Sequence, residues 1–109
     1  MKKYIISILF ALISLSMFSQ ITVTHFNAGW NSSNDVVWVE KLSDCDISKV
    51  DIASNPKLQQ KHNVVVVPTI IVFQDGEEVK RFQADLSFKI AATREELQDY
   101  IDELVMSAF

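Results

Sequence analysis

The sequence predicts an α/β domain, a mixed four-stranded sheet with helices on both faces. Three observations predict it. Short runs rich in β-branched residues alternate with helix-like segments over residues 21–105. Asp75-Gly76 lies between two apolar stretches and is a two-residue hairpin signal. The last helical pattern opens on Thr93-Arg94-Glu95-Glu96, a capping box. The order is strand, helix, strand, short helix, strand, strand, helix. A parallel pair joined by a crossover, followed by a hairpin and a helix, covers both faces of one sheet.

The first nineteen residues stand apart from that domain. Lys2 and Lys3 precede a nearly unbroken apolar run, Tyr4 to Phe18, and Ser19-Gln20 follows. This is the pattern of a secretory signal. The run is short for a membrane span, which needs about 20 residues. The sequence therefore predicts a signal over 1–19, a domain over 20–109, and export to the periplasm or the medium. No membrane contact is expected after cleavage. The alternative is an uncleaved anchor, because Met17 occupies a position where cleavage sites favour a small residue.

Residues 21–26, Ile-Thr-Val-Thr-His-Phe, are β-branched and aromatic and read as a strand. Residues 34–42 fit a strand by their valines. They fit a helix by the spacing of Val36, Val39 and Leu42 and by the Asn34-Asp35 start. Residues 47–52 alternate as a strand. Pro56 suits the first turn of a short helix over 54–62. Pro68 interrupts a long apolar run, so the next strand is placed at Thr69 to Phe73. The return strand of the hairpin carries Val79 and Phe82, three apart, which predicts a bulge near Lys80-Arg81. Residues 84–92 form a connection. In the final helix Leu97, Ile101, Leu104 and Val105 fall on one face, bordered by Tyr100.

Charge and cysteine content narrow the function classes. Two of the ten basic residues and none of the fourteen acidic ones precede residue 20, which leaves a net charge of −6 on residues 20–109. That balance argues against nucleic acid and anionic membranes as partners. Cys45 is the single cysteine, so no internal disulfide exists. It reads as a small buried apolar side chain, with a reactive or intermolecular thiol as the alternative. His25, His62, Cys45 and the acids show no metal-ligand spacing, and no cofactor is called for. Ser32 or Ser33 with His25 do not make a hydrolase, since no acid is placed to orient His25 and no nucleophile elbow is present.

Four segments together resemble the thioredoxins. His25 to Trp30 is similar to that family's strand ending in Ala-x-Trp. Residues 50–64 resemble its next strand, Asn-Pro turn and short helix. Val66-Val67-Pro68-Thr69 and the hairpin resemble its cis-proline segment, and residues 93–104 its C-terminal helix. The resemblance implies a minimal thioredoxin fold lacking the first strand and helix, with a crossover helix about two turns short. It places the two redox cysteines at Asn31 and Asn34, so Asn31, Ser32, Ser33 and Asn34 occupy the dithiol site. His25 stands where the family often has a buried acid, and Ala84 where it usually has glycine. Thiol–disulfide exchange needs a thiolate, which these four residues cannot supply. They read instead as caps for the helix that follows.

The function implied is an exported thioredoxin-like domain without its dithiol. It would bind a protein or extended peptide, of identity not readable from the sequence, through Trp30, Val67, Pro68 and Thr69. One alternative is a single-thiol redox protein acting through Cys45. Another is a structural subunit of an envelope assembly. An open sheet edge leaves the oligomeric state undetermined by sequence.

Overall fold

A computed structural model describes residues 20–108, and the signal-like segment 1–19 lies outside the described residues. Strands β1 (Ile21–Asn27), β2 (Asp46–Asp51), β3 (Thr69–Gln74) and β4 (Glu77–Gln83) form one sheet in the order β2-β1-β3-β4. β1 is parallel to β2 and antiparallel to β3, and β3 is antiparallel to β4. Helix α1 (Pro56–Lys61) lies between β2 and β3, and α2 (Arg94–Ser107) follows β4.

Side chains alternate across a strand, so the central strands bury residues on both faces. On one face Val23, Ile70 and Val72 pack with Val36, Val39, Leu42 and with Leu97 and Ile101 of α2. On the other, Phe26 and Ile71 pack with Val64 and Val67, which follow α1. Full burial of Leu97 and Ile101 contributes about 1.5–3 kcal/mol each, which fixes α2 on the sheet. The helical segments thus cover both faces, as the pattern predicts.

Local chemistry sets the element ends. Thr93 Oγ1 accepts the Glu96 N–H at 3.2 Å and starts α2. Asn63 has φ 51° just past α1, where the left-handed conformation ends helices. Asp75 and Gly76 have φ 53° and 85°, the mirror-image turn that matches strand twist. Arg81 of β4 donates to the carbonyls of His62 and Asn63 and pairs with Glu78. The guanidinium thereby ties the end of α1 to the hairpin.

Two local expectations are corrected. The crossover from β1 to β2 contains no α-helix, only short 3₁₀ stretches at Gly29–Asn34 and Val37–Lys41. Val36, Val37 and Val39 are stiff at χ1 and favour helices weakly, and the crossover is short. The bulge lies at Val79, because Val72 pairs with Lys80 while Phe73 pairs with Glu78. Val79 stays partly exposed, and the Tyr100 hydroxyl donates to its carbonyl at 3.2 Å. Among the described residues no helix is long and apolar enough to cross a membrane.

Candidate functional site

Register places the site at one end of the sheet. Phe26 pairs with Thr69, so the chain leaving β1 after Asn27 and the chain entering β3 through Val67-Pro68 emerge together. The Val67–Pro68 peptide bond is cis.

The residues after β1 are held by a chain of amides. Asn27 Nδ2 donates to the Asn31 carbonyl at 3.1 Å and to Asp35 Oδ1 at 2.6 Å. Asn31 Nδ2 returns a bond to Asn27 Oδ1 at 3.0 Å, and Asn34 Nδ2 donates to Asn31 Oδ1 at 2.8 Å. Asn31 is buried in a non-helical conformation. The helix-cap role expected of Asn31, Ser32, Ser33 and Asn34 is therefore corrected. Ala28 occupies the cap position without a side-chain bond, and the asparagines satisfy one another. Satisfied amide networks in a low-dielectric site resist rearrangement, because any broken member leaves a buried polar group unpaired.

His25 lies beneath this segment, 3% exposed. Its Nε2 accepts the Val36 N–H at 3.2 Å, not a serine hydroxyl, so no hydrolase geometry is present. Burial pushes the His25 pKa below its ordinary value of 6.5; nearby Asp35 and Glu40 oppose the shift and Lys49 supports it. Since the folded value is the lower one, the unfolded chain binds a proton the folded chain does not between the two. Stability is then intact above about pH 6.5 and falls as pH drops through that value toward the folded one. In an NMR titration the His25 ring is expected to charge with a midpoint below 6.5; a midpoint at or above it contradicts the burial argument.

His25 also lines an open cavity of about 320 Å³ with Asn27, Ala28, Gly29, Ser32, Asp35, Lys49, Val50 and Asp51. Asp51 Oδ1 accepts the Gly29 N–H at 3.3 Å, and Lys49 is ion-paired to Glu40 at 2.6 Å. Beside it Trp30 is 69% exposed, with the Phe88 ring edge-on at 5.7 Å. Phe88 has φ 63°, a left-handed conformation that costs a bulky residue energy. Asp85 braces its loop by accepting from the Ser87 amide and hydroxyl and from the Lys89 amide. Leu86, at the tip, is fully exposed.

The sequence-predicted surface is narrower in the structure. Trp30 presents its ring, but the side chains of Val67, Pro68 and Thr69 are buried. Thr69 Oγ1 donates to the Val66 carbonyl at 2.7 Å. Among the described residues, the Val67 amide and carbonyl have no backbone partner. Cys45 precedes β2, whereas Trp30 follows the far end of β1. The Thr22–Asp46 and Asn27–Asp51 pairings put those ends roughly 17 Å apart along the strands. Burial and the neighbouring Asp46 and Asp44 push the Cys45 thiol above its ordinary range, away from thiolate. Among the described residues no cluster suits a metal ion. Sequence reasoning missed Asn27, Asp35, Asp51 and Phe88. Asn27 carries a signal, a polar residue closing an apolar strand.

A thioredoxin family model matches residues 19–103. The thioredoxin of Mycobacterium tuberculosis is 37% identical over 65 residues, 60% of this chain and 54% of that one. That of Staphylococcus epidermidis is 47% identical over 36 residues, 33% of this chain and 35% of that one. The chain thus spans about half the length of the Mycobacterium relative. A thioredoxin mutant from Halobacterium salinarum NRC-1 superposes with TM-score 0.62 at 24% identity, covering 77% of this chain and 74% of that one. Thioredoxin 1 of Thermosipho africanus gives 0.60 at 21%, covering 80% and 97%. These structural likenesses show the fold alone. The matched span runs from the start of the sheet into α2 and includes the whole asparagine-held turn. The chain belongs to the thioredoxin family.

Proposed function

We propose that this chain is an exported binding module for an extended polypeptide, built on a thioredoxin fold without the redox dithiol. The observation that carries the reading is the exposed Trp30 ring, edge-stacked by Phe88, above a turn held by amides. A large, rigid aromatic surface at the mouth of a site is what a binding hot spot requires. The Val67 amide and carbonyl, without a backbone partner among the described residues, are the groups an added strand would pair with. Export rests on the signal-like pattern of residues 1–19.

The half-buried Cys45, distant from Trp30 and disfavoured as thiolate, supports no redox reading. The test is a titration of unfolded polypeptide into the domain carrying Trp38→Phe, so that Trp30 alone reports by fluorescence. Trp30→Ala, followed by calorimetry, is expected to weaken binding by about 2 kcal/mol or more, roughly thirtyfold. Unchanged affinity in that variant removes this surface from the reading.

A further inference from the structure

We propose that the cavity behind Gly29 receives the amino-terminal residue of a peptide, its α-ammonium between Asp35 and Asp51 and its first carbonyl accepting from His25 Nδ1. The proposal rests on the peptide-binding reading and specifies which part of the peptide enters.

Three features converge on that chemistry. The cavity, about 320 Å³, sits at the small end of ligand sites and matches one terminal residue better than a folded surface. Its charged lining consists of Asp35, Asp51 and Lys49, and Lys49 is already matched by Glu40. The remaining balance is negative and complements a cation. The third feature is independent of the acids. His25 Nε2 accepts a backbone N–H, so in the neutral ring the proton is on Nδ1. Nδ1 has no hydrogen-bond partner among the described residues. No sealed-off side-chain nitrogen or oxygen lacks a partner among them, so Nδ1 reaches open space, and the space that His25 borders is this cavity. The unpartnered donor of a buried ring is thus accessible from a site rimmed by carboxylates.

The fitting ligand pairs a cation with a neighbouring acceptor. A peptide amino terminus does so within one residue, its ammonium and carbonyl being two bonds apart. A lysine side chain brings the cation with no acceptor beside it, and an anionic group meets the carboxylates. Gly29 of the cavity lining adjoins Trp30 in sequence, which sets the cavity next to the Trp30–Phe88 ledge.

The test uses the tetrapeptide amide Gly-Val-Phe-Val in two forms, free and N-acetylated, with a third, acetylated form carrying a lysine. Binding is read by calorimetry and by the ¹⁵N shifts of the His25 ring. The free form is expected to bind at least tenfold tighter than the acetylated one, the scale of one charge-assisted bond. It should also shift Nδ1. Asp35→Asn, isosteric and still able to accept from Asn27, should remove most of that preference. If the acetylated forms bind as tightly as the free one, the amino-terminal site is wrong while the peptide reading stands. If the acetylated lysine form alone matches the free form, the cavity takes side-chain ammonium and the proposal fails. If no form binds, the peptide reading falls and this proposal with it.

Discussion

Phe26→Ala is expected to remove a large share of the stability of the domain, about 3–5 kcal/mol, against a typical total of about 5–15 kcal/mol. Phe26 is 1% exposed in the central strand, and it packs with Val64, Val67 and Ile71. The His62 ring lies 5.6 Å away, tilted against it, and the Phe73 ring meets His62 edge-on at 5.2 Å. Truncation leaves a cavity bounded by two sheet strands and the segment after α1, and strands paired on both sides collapse poorly. The measurement is denaturant unfolding. A loss below about 2 kcal/mol would mean that the segment after α1 moves in to fill the space. Because Val67 rests on Phe26, the variant should also lose peptide binding before it is fully unfolded.

Replacing Asn31 and Asn34 together by cysteine, in a Cys45→Ser background, should convert a site without cysteines into one that reduces disulfides. Positions 31 and 34 are three apart in one 3₁₀ stretch, and their side-chain ends already meet at 2.8 Å, so the two side chains face each other as a bridge requires. A turbidity assay with a chemical reductant as electron source should show activity in the double variant. The wild type and Cys45→Ser should show none, lacking a thiolate pair. The cost is the donor that Asn31 supplies to Asn27 Oδ1, about 1–3 kcal/mol for a buried acceptor left unpaired. A pair that stays reduced under oxidant would show that positions 31 and 34 do not correspond to the family's cysteines. Wild-type activity lost in Cys45→Ser would restore the single-thiol reading.

The parts of this protein that the sequence made legible are those governed by local rules. Asp75-Gly76 specifies a turn whatever surrounds it, and Thr93 caps whichever helix follows it. The continuous β-branched and apolar runs of β1 and β3 were legible because both strands are central and covered on both faces. The turn over 29–41 was not legible, for a physical reason. Its conformation is set by Asn27, which is on β1, and by His25, whose ring holds the Val36 amide eleven residues away. Asparagine and serine close to a helix start suggest caps by propensity, and only the folded structure shows the asparagines pairing with each other. The Phe88 contact was hidden likewise, since nothing in residues 84–92 marks a loop that folds back on Trp30.

Arg81 gives the two sides of the site different stiffness. By binding the carbonyls of His62 and Asn63 from an edge strand, it joins the approach to Val67 to the hairpin as one cooperative unit. Slow amide exchange there should follow opening of the sheet as a whole. Across the site, the loop that carries Phe88 is braced by its own Asp85 and touches Trp30 through one aromatic edge. On the proposed reading, a visiting chain would meet one side that is part of the sheet and another braced mainly by its own residues. Adaptation to ligands of different bulk would then fall to the loop tip, residues 85–89, whereas Ala84, bonded to the Pro68 carbonyl, and Ile90, packed on the core, tie the loop ends to the fold.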